Sequence, residues 1–187
     1  METIVSQKII PILPEDIPLY TYSSNKATKA VSRISQAAAR YEKPYLGLAV
    51  QRTRKGNIDS LALATSREVV IITLKGSPSL DDQLLINLLA GPTSDQPPNQ
   101  LTVVAFGMAR IAIQLSSWTS NSPVVGIDLP TSVDGGARNP WCPSTLISRV
   151  STAVEKSKVD ALWATSRDIE ASGKALCLRA WITAWCV

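Results

Sequence analysis

The chain contains no histidine. That removes the serine and cysteine triads built on imidazole, histidine-ligated zinc, and the commonest general base of enzyme chemistry. Phenylalanine occurs once, as Phe106, and cysteine three times, as Cys142, Cys177 and Cys186, in 187 residues. Three thiols, neither even in number nor paired at metal-binding spacing, argue against a disulfide framework and for reduced side chains. No apolar run approaches the roughly 18 to 20 residues of a membrane-spanning helix, so no membrane association is expected. The first thirteen residues mix Glu2, Gln7 and Lys8 among apolar ones and offer no small-residue cleavage site. An intracellular setting, nucleus or cytoplasm, is therefore the default expectation.

What is present suits a packed core. Hydrophobic residues make up 45% of the chain, and the length favours a single domain over residues 1–187, with an extended amino-terminal arm over about 1–22, burying roughly 70% of its unfolded surface. The 19 lysines and arginines exceed the 15 aspartates and glutamates by four. Nucleic acid is compatible with that excess but not demanded by it, because binding needs a concentrated patch. There are no internal repeats and no low-complexity tract.

The stretch from Tyr45 to Leu74 reads as three short strands. Leu46, Leu48 and Val50 alternate with small or polar residues, Leu61 and Leu63 do the same, and Val69-Val70-Ile71-Ile72 is a continuous apolar run suited to a strand covered on both faces. The links Arg52 to Asn57 and Ser66-Arg67-Glu68 have hairpin length and polarity, so the three strands form an antiparallel meander. Before it, Pro11, Pro14 and Pro18 predict an arm crossing the surface, with Leu19 to Tyr22 pairing at a sheet edge. Ala27, Ala30, Val31, Ile34, Ala37, Ala38 and Tyr41 predict a helix that Pro44 ends. After the meander the pattern predicts a helix capped by Ser79, a fourth strand over Leu101 to Phe106, a helix from Met108 to Trp118, and a fifth strand over Val124 to Leu129. Thr131 to Pro143 reads as the longest irregular segment. Ser144 and Asp168 then cap further helices, the last apolar almost all round and so either buried or docked on a partner.

Three antiparallel strands, helix, strand, helix, strand and helices is the ribonuclease H-like order: an α/β fold with a mixed five-stranded sheet flanked by helices, plus a possible amino-terminal edge strand. Tyr45-Leu46-Gly47-Leu48-Ala49-Val50-Gln51, with Ile58-Asp59-Ser60-Leu61-Ala62-Leu63-Ala64-Thr65 and Glu68 to Leu74, resembles the opening of the DEDD 3'-to-5' exonuclease domain of the ribonuclease D and Werner exonuclease group. Glu155-Lys156-Ser157-Lys158 with Trp163 is similar to the segment preceding that family's last motif. The resemblance spans nearly the whole chain, by pattern more than by identity.

The resemblance implies four metal-binding carboxylates, and this chain departs at each. Ala49 and Gln51 occupy the Asp-x-Glu positions of the first strand, Ile111 that of the second-motif Asp, and Cys177 that of the last. A pair of divalent ions about 4 Å apart needs several carboxylates, and Mg2+ binds thiols poorly. The expectation is no catalytic residue, no metal and no cofactor: a pseudo-nuclease. Relatives without their acids act as adaptors in RNA metabolism and RNA silencing, so the resemblance implies a scaffold with a protein partner or a homodimer. The remaining acids have ordinary explanations: Asp59 begins a strand, Asp128 matches a noncatalytic Asp after the fifth strand in the resembled family, Asp134 lies in a turn, and Asp168 caps a helix, and a rearranged cluster of these acids with Asp160 is the alternative. Gly135-Gly136-Ala137-Arg138 lacks the features of a phosphate loop. Arg52, Arg54 and Lys55 on a hairpin tip are the candidates for contact with RNA or another single strand, the basis of an alternative reading as a sequence-tolerant nucleic-acid binder. An enzyme with an unrecognised site is the weakest alternative. Trp181 and Trp185 on the last helix are the candidate interface anchors.

Overall fold

The computed structural model describes residues 2–9, 15–40, 44–53, 57–91, 101–120, 122–129, 143–150, 154–164 and 173–187. In chain order the strands are β1 (Glu2–Ser6), β2 (Asp16–Ser23), β3 (Tyr45–Arg52), β4 (Ile58–Ala64), β5 (Val69–Thr73), β6 (Thr102–Ala105) and β7 (Ile127–Asp128). The helices are α1 (Ala27–Arg40), α2 (Gln83–Ala90), α3 (Met108–Trp118), α4 (Pro143–Val150), α5 (Lys156–Ala164) and α6 (Gly173–Trp185).

The meander forms as its alternation dictates, with β3, β4 and β5 antiparallel. β6 joins β3 in parallel and β7 joins β6 in parallel, giving the order β1-β2-β5-β4-β3-β6-β7. Period-two alternation sorts side chains by size as well as by face. Leu46, Leu48, Leu61, Leu63, Val70 and Ile72 enter one core cluster with residues of α1, α2 and α3. On the other face, Ala49, Ala62, Ala64, Val69 and Ile71 share a cluster with residues of α4, α5 and α6. Three alanines on that second face let a helix come unusually near the strands.

α6 takes that position. A Cβ placed on Gly47 would lie 2.1 Å from the Ala180 carbonyl oxygen and 2.5 Å from the Ala184 nitrogen, so β3 and α6 meet backbone to backbone. Trp181, 2% exposed, seals one side of the contact, and its indole N–H donates to the Ser66 carbonyl at 2.8 Å. This corrects the expectation for Trp181: an apolar helix near the end of the chain is covered by the protein's own sheet. Trp185 is half-buried against the same cluster.

The amino-terminal arm also departs from expectation. It is a hairpin, with β1 antiparallel to β2 and β2 parallel to β5, so the sheet has seven strands rather than five and an edge. Pro18 is tolerated in an inner strand because the β2–β5 ladder begins only at Leu19, which leaves Pro18 paired to β1 alone. The segment after β1 is tied to the opposite end of the chain: the Glu155 N–H donates to the Ile9 carbonyl at 3.1 Å, and Lys158 Nζ donates to the Lys8 carbonyl at 2.8 Å. At the other end of the sheet, β7 is two residues long where a strand over Val124 to Leu129 was expected. The Val125 N–H donates instead to the Leu89 carbonyl at the end of α2, 2.8 Å away, which takes it out of the ladder. Among the described residues, no helix is long and apolar enough to cross a membrane.

The β3–α6 contact sets the first prediction. Gly47→Ala should lower unfolding stability by about 3 kcal/mol, the upper end of ordinary overpacking, because backbone rather than a flexible side chain must move. Gly76→Ala, whose added Cβ meets nothing within 4 Å, should stay within about 0.5 kcal/mol of the parent. Urea melts of the two variants side by side decide it: equal midpoints would mean that α6 does not rest on Gly47.

Candidate functional site

β3, β6 and β7 run parallel, so their carboxyl ends come together at one edge of the sheet. Ligands of open α/β sheets generally bind outside such ends. Here the edge presents Gln51 and Arg52 at the end of β3, Phe106 and Gly107 after β6, and Asp128 at the end of β7. Gly107 adopts φ +73°, a left-handed conformation that lets β6 turn directly into α3. The Asp128 carboxylate holds that turn, with Oδ1 accepting the Gly107 N–H at 3.1 Å. Phe106 packs edge-on against Trp163 of α5, ring centroids 5.2 Å apart.

The positions that the exonuclease pattern reserves for acids separate into two environments. Ala49 of β3 and Cys177 of α6 are both buried in the cluster between that helix and the sheet. Burial pushes the Cys177 thiol up to about 12, so it is a protonated, apolar neighbour at neutral pH. Gln51, half-buried two residues further along β3, supplies a neutral amide. Ile111 is not brought to them, because it faces the cluster on the opposite side of the sheet with Met108, Leu115 and Trp118.

A divalent ion pair does not fit this set. An alanine methyl, a carboxamide and a protonated thiol offer no negative charge and a single hard oxygen, where such ions require several carboxylate oxygens. Among the described residues, no three His, Cys, Asp or Glu side chains come together as potential metal ligands. The other acids are dispersed. Asp59 Oδ2 accepts the Ser60 hydroxyl at 3.0 Å, Asp160 is exposed on α5, and Asp134 and Asp168 lie outside the described residues, as do Cys142 and the Gly135-Gly136 loop.

Of the basic cluster, Arg54 and Lys55 also lie outside the described residues, while Arg52 closes β3. Partial burial, and then the charge of Arg110, weaken the hold of Arg52 on its proton. Arg110 is not among the candidates reached from the sequence. The available signal was a cation in the first turn of a helix with no acid there, where the helix dipole disfavours it.

The buried thiol leads to a pH prediction. Burial raises Cys177 from 9.0 to about 12, so its contribution to stability is complete below pH 9 and falls as pH rises from there toward 12, where the unfolded chain has lost the proton that the folded chain retains. Iodoacetamide at pH 8, followed by peptide mapping, should modify Cys177 only when denaturant is present. Native-state labelling at the rate of a free thiol would contradict its burial between α6 and the sheet.

No protein-family model matches the chain, and comparison with curated proteins finds no match. Among solved structures the chain is similar to the EXO domain of Aedes aegypti Nibbler, at 13% identity and a TM-score of 0.58, over 90% of this chain and 84% of that one. It is also similar to the EXD2 exonuclease domain soaked in Mg, at 15% identity and a TM-score of 0.46, over 81% and 84% of the two chains. With the strand order above, the first of these likenesses gives the chain the ribonuclease H-like fold of 3'-to-5' exonuclease domains.

Proposed function

We propose that this chain is an exonuclease-like domain that has kept the fold without the metal chemistry, and that it works as a protein-interaction scaffold in RNA metabolism or RNA silencing. One observation carries the reading: Ala49 of β3 and Cys177 of α6, two of the positions reserved for acids, are buried in the apolar cluster between that helix and the sheet. Introducing carboxylates there would mean burying charge with no counter-ion, which is strongly unfavourable. The scaffold role rests on what remains when the chemistry is set aside: the fold of an exonuclease domain, on a chain with a seven-stranded sheet and a hairpin extension. In this reading residues 1–187 form one domain, the partner is another protein or a second copy, and the setting is the nucleus or cytoplasm. Trp185, half-buried beside Cys186, is the remaining anchor candidate now that Trp181 belongs to the core.

Purified protein incubated with an end-labelled single-stranded RNA and either Mg2+ or Mn2+ should leave the substrate at full length. Stepwise shortening that EDTA abolishes would overturn the proposal. So would the same activity disappearing on Gln51→Ala, which would place a metal at the edge after all. For the scaffold half of the reading, light scattering should give a dimer or a defined complex with a co-purifying protein; a monomer at all concentrations with no retained partner counts against it.

A further inference from the structure

β1 closes one end of the sheet, with β2 on one side and, among the described residues, no strand on the other. Its register with β2 decides where each backbone group points. The Gln7 N–H donates to the Glu15 carbonyl at 2.7 Å, and the pairs then run Ser6 with Asp16, Val5 with Ile17, Ile4 with Pro18, Thr3 with Leu19 and Glu2 with Tyr20. Antiparallel pairs alternate between those that exchange hydrogen bonds and those that do not, so Gln7, Val5 and Thr3 bond inward while Ser6, Ile4 and Glu2 turn N–H and C=O away from β2. Pro18 agrees with this phase: having no N–H, it falls opposite Ile4 in a pair that needs none. Three donors and three acceptors therefore line the outer margin, and none has a partner among the described residues.

The side chain at the centre of this margin is uncovered too. Ile4 is 67% exposed, while Val5, on the opposite face of the strand, is buried in the core. Lysines, prolines and bulges commonly guard a sheet edge, and β1 has none of them. Its guard is shortness, which limits how tightly it pairs. The three outward residues are also symmetric about Ile4. A second copy laid antiparallel, with a two-fold axis through Ile4, sets Ile4 against Ile4 of that copy and Glu2 against its Ser6, so every outward donor meets an acceptor. Lys8 continues the even positions one residue past the Gln7 bond, which places it diagonally across from Glu2 of the second copy. Both side chains are exposed, and the 3.9 Å pair of Lys8 with Glu15 is a weak surface contact. Opposite charges thus meet on each side of the axis.

We infer that the edge of β1 is a self-pairing surface: two copies of this chain join β1 to β1 in two-fold register about Ile4 and continue their seven-stranded sheets into one. The assembly closes at two, because each copy uses up its β1 margin and the opposite end of the sheet is β7, two residues long and too short to pair on. One short strand per copy is a small contact, so the dimer forms reversibly with concentration. This pairing names the partner within the scaffold role proposed above and rests on that role, but not on the loss of metal chemistry.

Sedimentation velocity of the full chain over about 1 to 200 µM tests it, together with single-residue amide exchange at the two ends of that range. The parent should pass from monomer to dimer. In the dimer the Ile4 amide should exchange at least about fivefold more slowly, while the Val5 amide, already bonded to β2, should change little. Ile4→Lys puts two like charges on the axis, and Ile4→Pro removes an outward N–H without touching a β1–β2 bond. Each should weaken dimerisation at least about tenfold. Ile113→Lys, at a 75% exposed position on α3, should leave it unchanged. A dimer that survives both Ile4 variants, equal loss on Ile113→Lys, assembly that continues past two, or a monomer at every concentration would each overturn the pairing. If a co-purifying protein is retained in those cases, the scaffold role stands without it. Nuclease activity would overturn the loss of chemistry and leave the pairing to be judged by its own variants.

Discussion

The backbone contact between β3 and α6 is the constraint that the other features of this face obey. It requires a glycine at position 47 and small side chains around it, and the chain supplies Ala49, Ala62 and Ala64 on the strands with Ala180 and Ala184 on the helix. In return the helix covers the middle of the sheet and buries Trp181 beside the β4–β5 turn, where its indole finds the Ser66 carbonyl. Arg179, on the same helix, is tied to α5 by donating from Nε to the Leu162 carbonyl at 2.8 Å. A helix seated so low leaves little room for side chains that would otherwise reach out from β3. The close packing of this face goes with the small, neutral side chains that Gly47, Ala49 and Cys177 place on it.

The meander was legible because alternation of side chains is a local signal with an immediate structural meaning. Leu46, Leu48, Leu61 and Leu63 turn to one face and their small neighbours to the other, as period two requires. Helix α3 could likewise be read from Met108 to Trp118, since its apolar stripe stands out from the polar turn that follows. The amino-terminal hairpin was not legible in the same way. Its prolines argue against a strand, and its acceptance into the sheet depends on β5, about fifty residues further on, which no local pattern reports. The shortness of β7 has a similar cause, because the hydrogen bond that draws Val125 away goes to a distant helix end.

The candidate site was only partly legible. Ala49 and Cys177 were reached through the spacing of a resemblance, and the fold brings both into the cluster between α6 and the sheet. Ile111 came from the same spacing, yet it faces the other core, since a helix turns each successive side chain by about 100° and a one-residue difference in alignment changes its face. Trp181 shows the limit of composition: an apolar helix has the same sequence whether its cover is a partner or its own sheet. Arg110 carries no motif at all. Its interest arises only through Arg52, whose hold on its proton the Arg110 charge weakens.

The hairpin at the other end of the sheet has a consequence for solubility. Without it, β5 would be the outermost strand, offering the unpaired amides of Val69-Val70-Ile71-Ile72 to any passing chain, a template for intermolecular cross-pairing. β2 occupies that margin, and β1 presents in its place a short strand begun by Glu2 and closed by Ser6. The added strands thus serve as a gatekeeper: a sticky ribbon is tucked inside, and a weakly templating one is turned outward.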